Sequence, residues 1–80
     1  MRVQRQISWF SISSEELVGE SSIDHVPLDD LKKLFDPPAD DPLMYNPYEI
    51  NIYQAKELRR WVRLIFDFDS FTYYAECFQA

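Results

Sequence analysis

ISWFSISSEELVGE, the run from Ile7 to Glu20, reads as a strand, a turn and the start of a returning strand. Ile7, Trp9 and Phe10 are β-branched or aromatic, the side-chain types that fit a pleated surface. Ser13, Ser14, Glu15 and Glu16 supply the turn, because short hydroxyl side chains bond to nearby backbone. Leu17 and Val18 restart an extended run. Gly19, the only glycine, predicts a bulge or a close backbone approach there. Together they make a β-hairpin.

Working outward, alternation carries the first strand back to Val3. Val3, Ile7 and Trp9 form a face suited to a core. Gln4, Gln6, Ser8, Phe10 and Ile12 form a mostly polar face with two apolar residues near its end. On the return strand, about 17–25, Glu16, Val18, Glu20, Ser22 and Asp24 are the polar set; Leu17, Gly19, Ser21 and Ile23 are the drier one.

Asp24 or Pro27 then opens a short helix. Asp29 and Asp30 complement its positive end, and Leu28, Leu31, Leu34 and Phe35 recur at helical spacing. Asp36, Pro37 and Pro38 stop it. The Pro- and Asp-rich segment 36–47 reads as a long loop, functional or mobile at this length. Tyr48 to Ile50 reads as a short strand. Asn51 and Gln54 form a capping-box pattern that opens the clearest helix, about 52–63. Ile52, Ala55, Leu58, Trp61, Val62 and Ile65 give it an apolar side, and Lys56, Arg59, Arg60 and Arg63 cover the other. After a turn at 66–70, Phe71–Phe78 alternates as the last strand. The order ββα(β)αβ over a single domain, residues 1–80, predicts an α+β fold. It is a small antiparallel β-sheet of three to four strands with two short helices packed on one face.

Composition excludes several function classes. Fourteen acids against 8 bases leave a formal net charge of −6, which disfavours nucleic acid and anionic membranes because both need clustered positive charge. It fits a soluble monomer or a basic partner. Cys77 and His25 are each the only residue of their type, so neither an internal disulfide nor a cysteine-rich zinc site is expected. With no secretory h-region and no apolar run near the roughly 18 residues of a membrane span, a cytoplasmic location is expected. The chain has no Gly-rich phosphate loop and no metal-ligand cluster, so no cofactor and no catalysis are expected. A Cys77–His25 dyad is chemically conceivable, but a cysteine in an apolar strand reads as a buried structural thiol. Asp40 with Asp41, and Asp67 with Asp69, read as solvated surface acids without the EF-hand pattern.

The distribution of charge says more. Segments 34–55 and 64–80 carry acids and no base, while Lys56, Arg59, Arg60 and Arg63 hold half of the 8 bases. If the second helix covers the back of the sheet, the other face becomes acidic, with Phe10, Tyr74 and Phe78 standing among Glu20 and Glu76. Aromatic anchors in an acidic rim suit an electrostatically steered interface with a basic protein. The plainer alternative places these aromatics under the long loop.

Trp9, Phe10, Ser13, Glu15, Gly19 and Glu20, spaced W-F-x2-S-x-E-x3-G-E, resemble the N-terminal hairpin of the cloacin immunity family. Members of that family protect bacteria from cloacin and from ribosome-cleaving colicins. The run Phe71, Thr72, Tyr73, Tyr74, Ala75, Glu76 resembles the same family's last strand, with Asp67 and Asp69 a little before it. The resemblance implies a sheet whose open face grips a basic ribonuclease domain in a 1:1 complex, neutralising it without chemistry of its own. It also implies toxin contacts at Phe10, Leu17, Glu20 and Tyr74, to which the charge map adds Glu76, and a core position for Trp9. Alternation agrees for Phe10, Glu20 and Tyr74. Leu17 falls on the wrong face unless a bulge near Gly19 shifts the register. The competing expectation is an adaptor subunit that uses the basic helix and an apolar groove to join a larger complex.

Overall fold

The computed structural model describes residues 2–79. Strand β1 (Val3–Ser11) turns into β2 (Leu17–Ser22), followed by helix α1 (Leu28–Phe35), strand β3 (Tyr48–Glu49), helix α2 (Ile52–Leu58) and strand β4 (Phe71–Gln79). They form a four-stranded sheet in the order β2-β1-β4-β3, and all three neighbouring pairs are antiparallel. The first and last strands therefore meet at the centre of the sheet, where β1 and β4 pair from Val3 with Gln79 to Ser11 with Phe71.

Alternation sorts the sheet as the sequence requires. Ile7, Tyr73 and Ala75 are buried on one face, in one core with Leu31, Ile50, Ala55, Leu58 and Val62 from the helical layer. Trp9 packs against that core with its ring 5.9 Å from the ring of Tyr73. The hairpin closes through Ser11, whose N–H donates to the Glu16 carbonyl and whose own carbonyl accepts from Glu15 N–H. Glu15 takes the left-handed conformation that such a loop needs, with φ of 61°.

Helix α2 begins as its sequence dictates. The Asn51 side chain accepts from Gln54 N–H while the Gln54 side chain accepts from Asn51 N–H. It ends earlier than its periodicity suggests. Past Leu58 the bonds tighten to Arg60 N–H with Glu57 and Trp61 N–H with Leu58, and His25 Nε2 donates to the Trp61 carbonyl at 2.6 Å. The apolar side expected to run to Ile65 is thus broken. Ala55, Leu58 and Val62 are buried, whereas Ile52, Trp61 and Ile65 are exposed. Residues 66–71 instead wrap an aromatic pad around Tyr73. The rings of Phe66, Phe68 and Phe71 lie 4.7, 5.2 and 6.3 Å from it, and the Tyr73 hydroxyl accepts from Asp67 N–H at 2.9 Å.

Strand β2 also stops short, at Ser22. Asp24 Oδ1 then accepts from Arg5 N–H at 2.7 Å and finishes the edge with a side chain. The 36–47 loop is fastened down. Met44 is buried in the core, and Asp41, only 5% exposed, accepts from Tyr45 N–H, Asn46 N–H and the Tyr48 hydroxyl at 2.9, 3.1 and 2.5 Å. Asp41 is therefore an internal anchor, not the solvated acid its sequence context suggests.

Candidate functional site: the open face of the sheet

The face turned away from the helices carries Gln4, Gln6, Ser8 and Phe10 from β1 and Thr72, Tyr74, Glu76 and Phe78 from β4, set side by side by the central register. Ser22 and Glu20 of β2 sit opposite Gln6 and Ser8, and Glu49 of β3 sits opposite Tyr74. Residues directly across a ladder share a face.

Leu17 joins them through an irregularity. Trp9 pairs with Gly19 but Phe10 pairs with Leu17, so Val18 is the extra residue of a β-bulge. Without that extra residue Leu17 would lie on the helix side. With it, Leu17 stands 54% exposed beside Phe10. The drier set expected along β2 is corrected by one residue, and the conflict over Leu17 disappears.

Phe10 and Tyr74 pack diagonally as an edge-to-face pair, with ring centroids 5.8 Å apart and planes at 76°. Both are half-buried, and the 36–47 loop does not cover them, since that loop packs Met44 into the helix-side core. Their far side, with Ile12, Glu15 and Thr72, lines an open depression of about 480 Å³. Gln6 lies beside Glu20, its side-chain amide donating to Glu20 Oε2 at 2.7 Å and to Ser8 Oγ at 2.9 Å. That fixes the carboxylate without neutralising it. Glu20, Glu49 and Glu76 make no ion pair among the described residues. No Lys or Arg lies among the strand residues of this face. Arg5, the one base within the strands, sits on the other face and donates from Nη2 to the Leu43 carbonyl at 2.8 Å.

The structure thus brings Phe10, Leu17, Glu20, Tyr74 and Glu76 onto one surface. It adds Glu49, which the short β3 carries in, and Glu15 at the hairpin end. Alternation could not find Glu49, because which strand neighbours β4 is a tertiary fact. Such a surface has donors, acceptors and apolar anchors for another protein. Among the described residues no group of His, Cys, Asp and Glu is arranged to hold a metal ion.

The model of one family, described as a domain of unknown function, DUF7683, matches residues 4–76, from the start of β1 into the last strand. The chain belongs to this family. The DUF7683 match spans all six elements and takes in every one of the five face residues above, leaving Phe78 just outside it. No curated protein matches the chain.

Proposed function

We propose that this chain is an immunity protein. It binds and neutralises a basic bacterial nuclease toxin domain by covering part of its surface, in a 1:1 complex and without catalysis of its own. A ribosome-targeting ribonuclease of a bacteriocin or contact-dependent system is the toxin class that the cloacin-immunity resemblance implies. The bulge at Val18 carries this reading. It sets Leu17 across from Phe10, whose ring packs on Tyr74, so an apolar patch is framed by Glu15, Glu20, Glu49 and Glu76 with no base among them. Anchors that desolvate on contact, inside a rim of one charge, suit tight binding to a basic partner. A cytoplasmic site of action accords with a described chain in which no helix is long and apolar enough to cross a membrane.

The test is to co-express the chain with the product of the gene immediately upstream, purify the pair, and measure affinity and ribonuclease activity with and without the chain. Tight binding with loss of activity supports immunity. A partner that binds but has no nuclease activity, or one that stays active when bound, moves the reading to an adaptor subunit.

A further inference from the structure

On the helix side of the sheet lies a second surface of opposite character. Ile52 and Tyr53 open α2 at 66% and 79% exposure, and Ile65 stands out from the following segment at 85%. Between them runs a groove of about 550 Å³ with Phe66 and Phe68, stacked at 5.8 Å, as its apolar wall and Lys56 and Arg59 along its rim. No acid lines it. Neither base makes an ion pair among the described residues, whereas neighbouring Arg60 is held by Glu57 at 3.5 Å. Three large apolar side chains this exposed, contiguous with unpaired cations, mark an interaction surface.

We propose that this groove docks an acidic, apolar segment of a partner protein, independently of the sheet-face interface. The occupant's chemistry follows from the lining. Aliphatic or aromatic anchors fill the space between Tyr53, Ile65 and Phe68, and flanking carboxylates meet Lys56 and Arg59, as in groove recognition of an amphipathic segment. A volume of this order holds a few side chains and suits a segment better than a flat surface. The net charge of −6 opposes approach to an anionic bilayer or to nucleic acid, and two rim cations are too few to overcome it. The occupant's carboxylates meet Lys56 and Arg59, which no acid in the groove lining offsets.

The test uses the full chain. A random dodecapeptide display library is panned against the immobilised protein, and selected peptides are measured by fluorescence anisotropy against the wild type and the variants Tyr53→Ala, Lys56→Glu and Glu76→Lys. Tyr53 and Lys56 are exposed and Glu76 is half-buried on the sheet face, and circular dichroism checks that each variant stays folded. The proposal expects selected peptides to combine carboxylates with apolar residues. It expects about tenfold or greater weakening by Tyr53→Ala and by Lys56→Glu, and none by Glu76→Lys. It is overturned by failure to enrich any acidic, apolar sequence, or by such peptides binding Lys56→Glu as well as the wild type. Self-association abolished by Lys56→Glu would overturn it in favour of a second copy. Cosedimentation with phosphatidylglycerol vesicles, abolished by Lys56→Glu in the absence of peptide enrichment, would overturn it in favour of a lipid surface.

Discussion

At Gly19 the absence of a side chain makes room for an indole. Trp9 lies directly across the ladder, and a methyl group on Gly19 would overlap its ring, with Nε1 at 2.9 Å and two ring carbons closer still. Gly19→Ala is expected to destabilise the fold by about 1–3 kcal/mol, the usual cost of overpacking, as read by urea unfolding. In a Trp9→Leu background the same substitution should cost little, because the clashing ring is gone. Equal costs in both backgrounds would show that the glycine serves the backbone and not the tryptophan. Under the function proposed, Phe10 and Tyr74 present the contrary case, residues whose value lies outside the fold. Because each is half-buried and packed on the other, truncation of either to Ala should cost about 1–3 kcal/mol of stability, one edge-to-face pair plus part of a ring's burial. If the sheet face is the interface proposed, the same truncations weaken partner binding by roughly 2 kcal/mol or more. Calorimetric titration beside urea unfolding separates the two losses, and variants that unfold as expected yet bind normally would remove these rings from the interface.

Segment 36–47 shows how an element without regular structure is held by a few side chains, the Asp41–Tyr48 pair among them. Hydrogen bonding from Tyr48 foremost, then from the Tyr45 and Asn46 backbone, holds the Asp41 carboxyl below its ordinary 3.8 and outweighs the opposing effect of burial. Burial foremost, then the Asp41 hydrogen bond and the charges of Asp41 and Asp40, pushes the Tyr48 phenol from 10.0 up to about 12. A lowered carboxyl stabilises fully above its ordinary value, and that share is lost as pH falls through the lowered one. A raised phenol stabilises fully below pH 10.0, and its share is lost as pH rises through about 12. Asp41→Asn is therefore expected to flatten the acid limb of stability against pH, and Tyr48→Phe the alkaline limb, both followed by urea midpoints. Unchanged limbs in both variants would assign the pH dependence to other groups. None of this pairing was legible in the sequence, because an Asp in a Pro-rich loop looks the same whether or not a tyrosine closes over it. Elements set by local chemistry were legible: the hairpin, the Asn51–Gln54 cap, the stop at Pro37, the alternation of β4. The end of α2 was not, since helical spacing runs on through Val62 and Ile65 while His25 and Tyr73, distant in sequence, capture the chain. Leu17 needed the Val18 bulge, which Gly19 hinted at without placing. For the candidate site, then, alternation could place Phe10, Glu20, Tyr74 and Glu76, but Glu49 and Leu17 awaited strand order and register.

For the whole molecule the decisive feature is that no Lys or Arg lies among the strand residues of the sheet face, while bases gather at the end of α2. The sheet face gathers Glu20, Glu49 and Glu76, while Lys56 and Arg59 rim the helix-side groove. If the sheet face is the interface proposed, a net charge of −6 draws a basic partner from any direction, but only the base-free face orients it for docking. Salt screens that guidance over about 10 Å at 0.1 M. Association with a basic partner on the sheet face is expected to slow by roughly tenfold or more from low to high ionic strength, while dissociation changes far less. Net charge alone would predict equal effects from any charge reversal. A base-free face predicts unequal ones: Glu49→Lys or Glu76→Lys should slow association and flatten its salt dependence. Raising the acidity of the far side with Lys56→Glu should change it little. Stopped-flow association kinetics across a salt series distinguish the two accounts. If Lys56→Glu speeds association as much as Glu76→Lys slows it, the field acts through total charge, and the sheet face loses its claim to steer the partner.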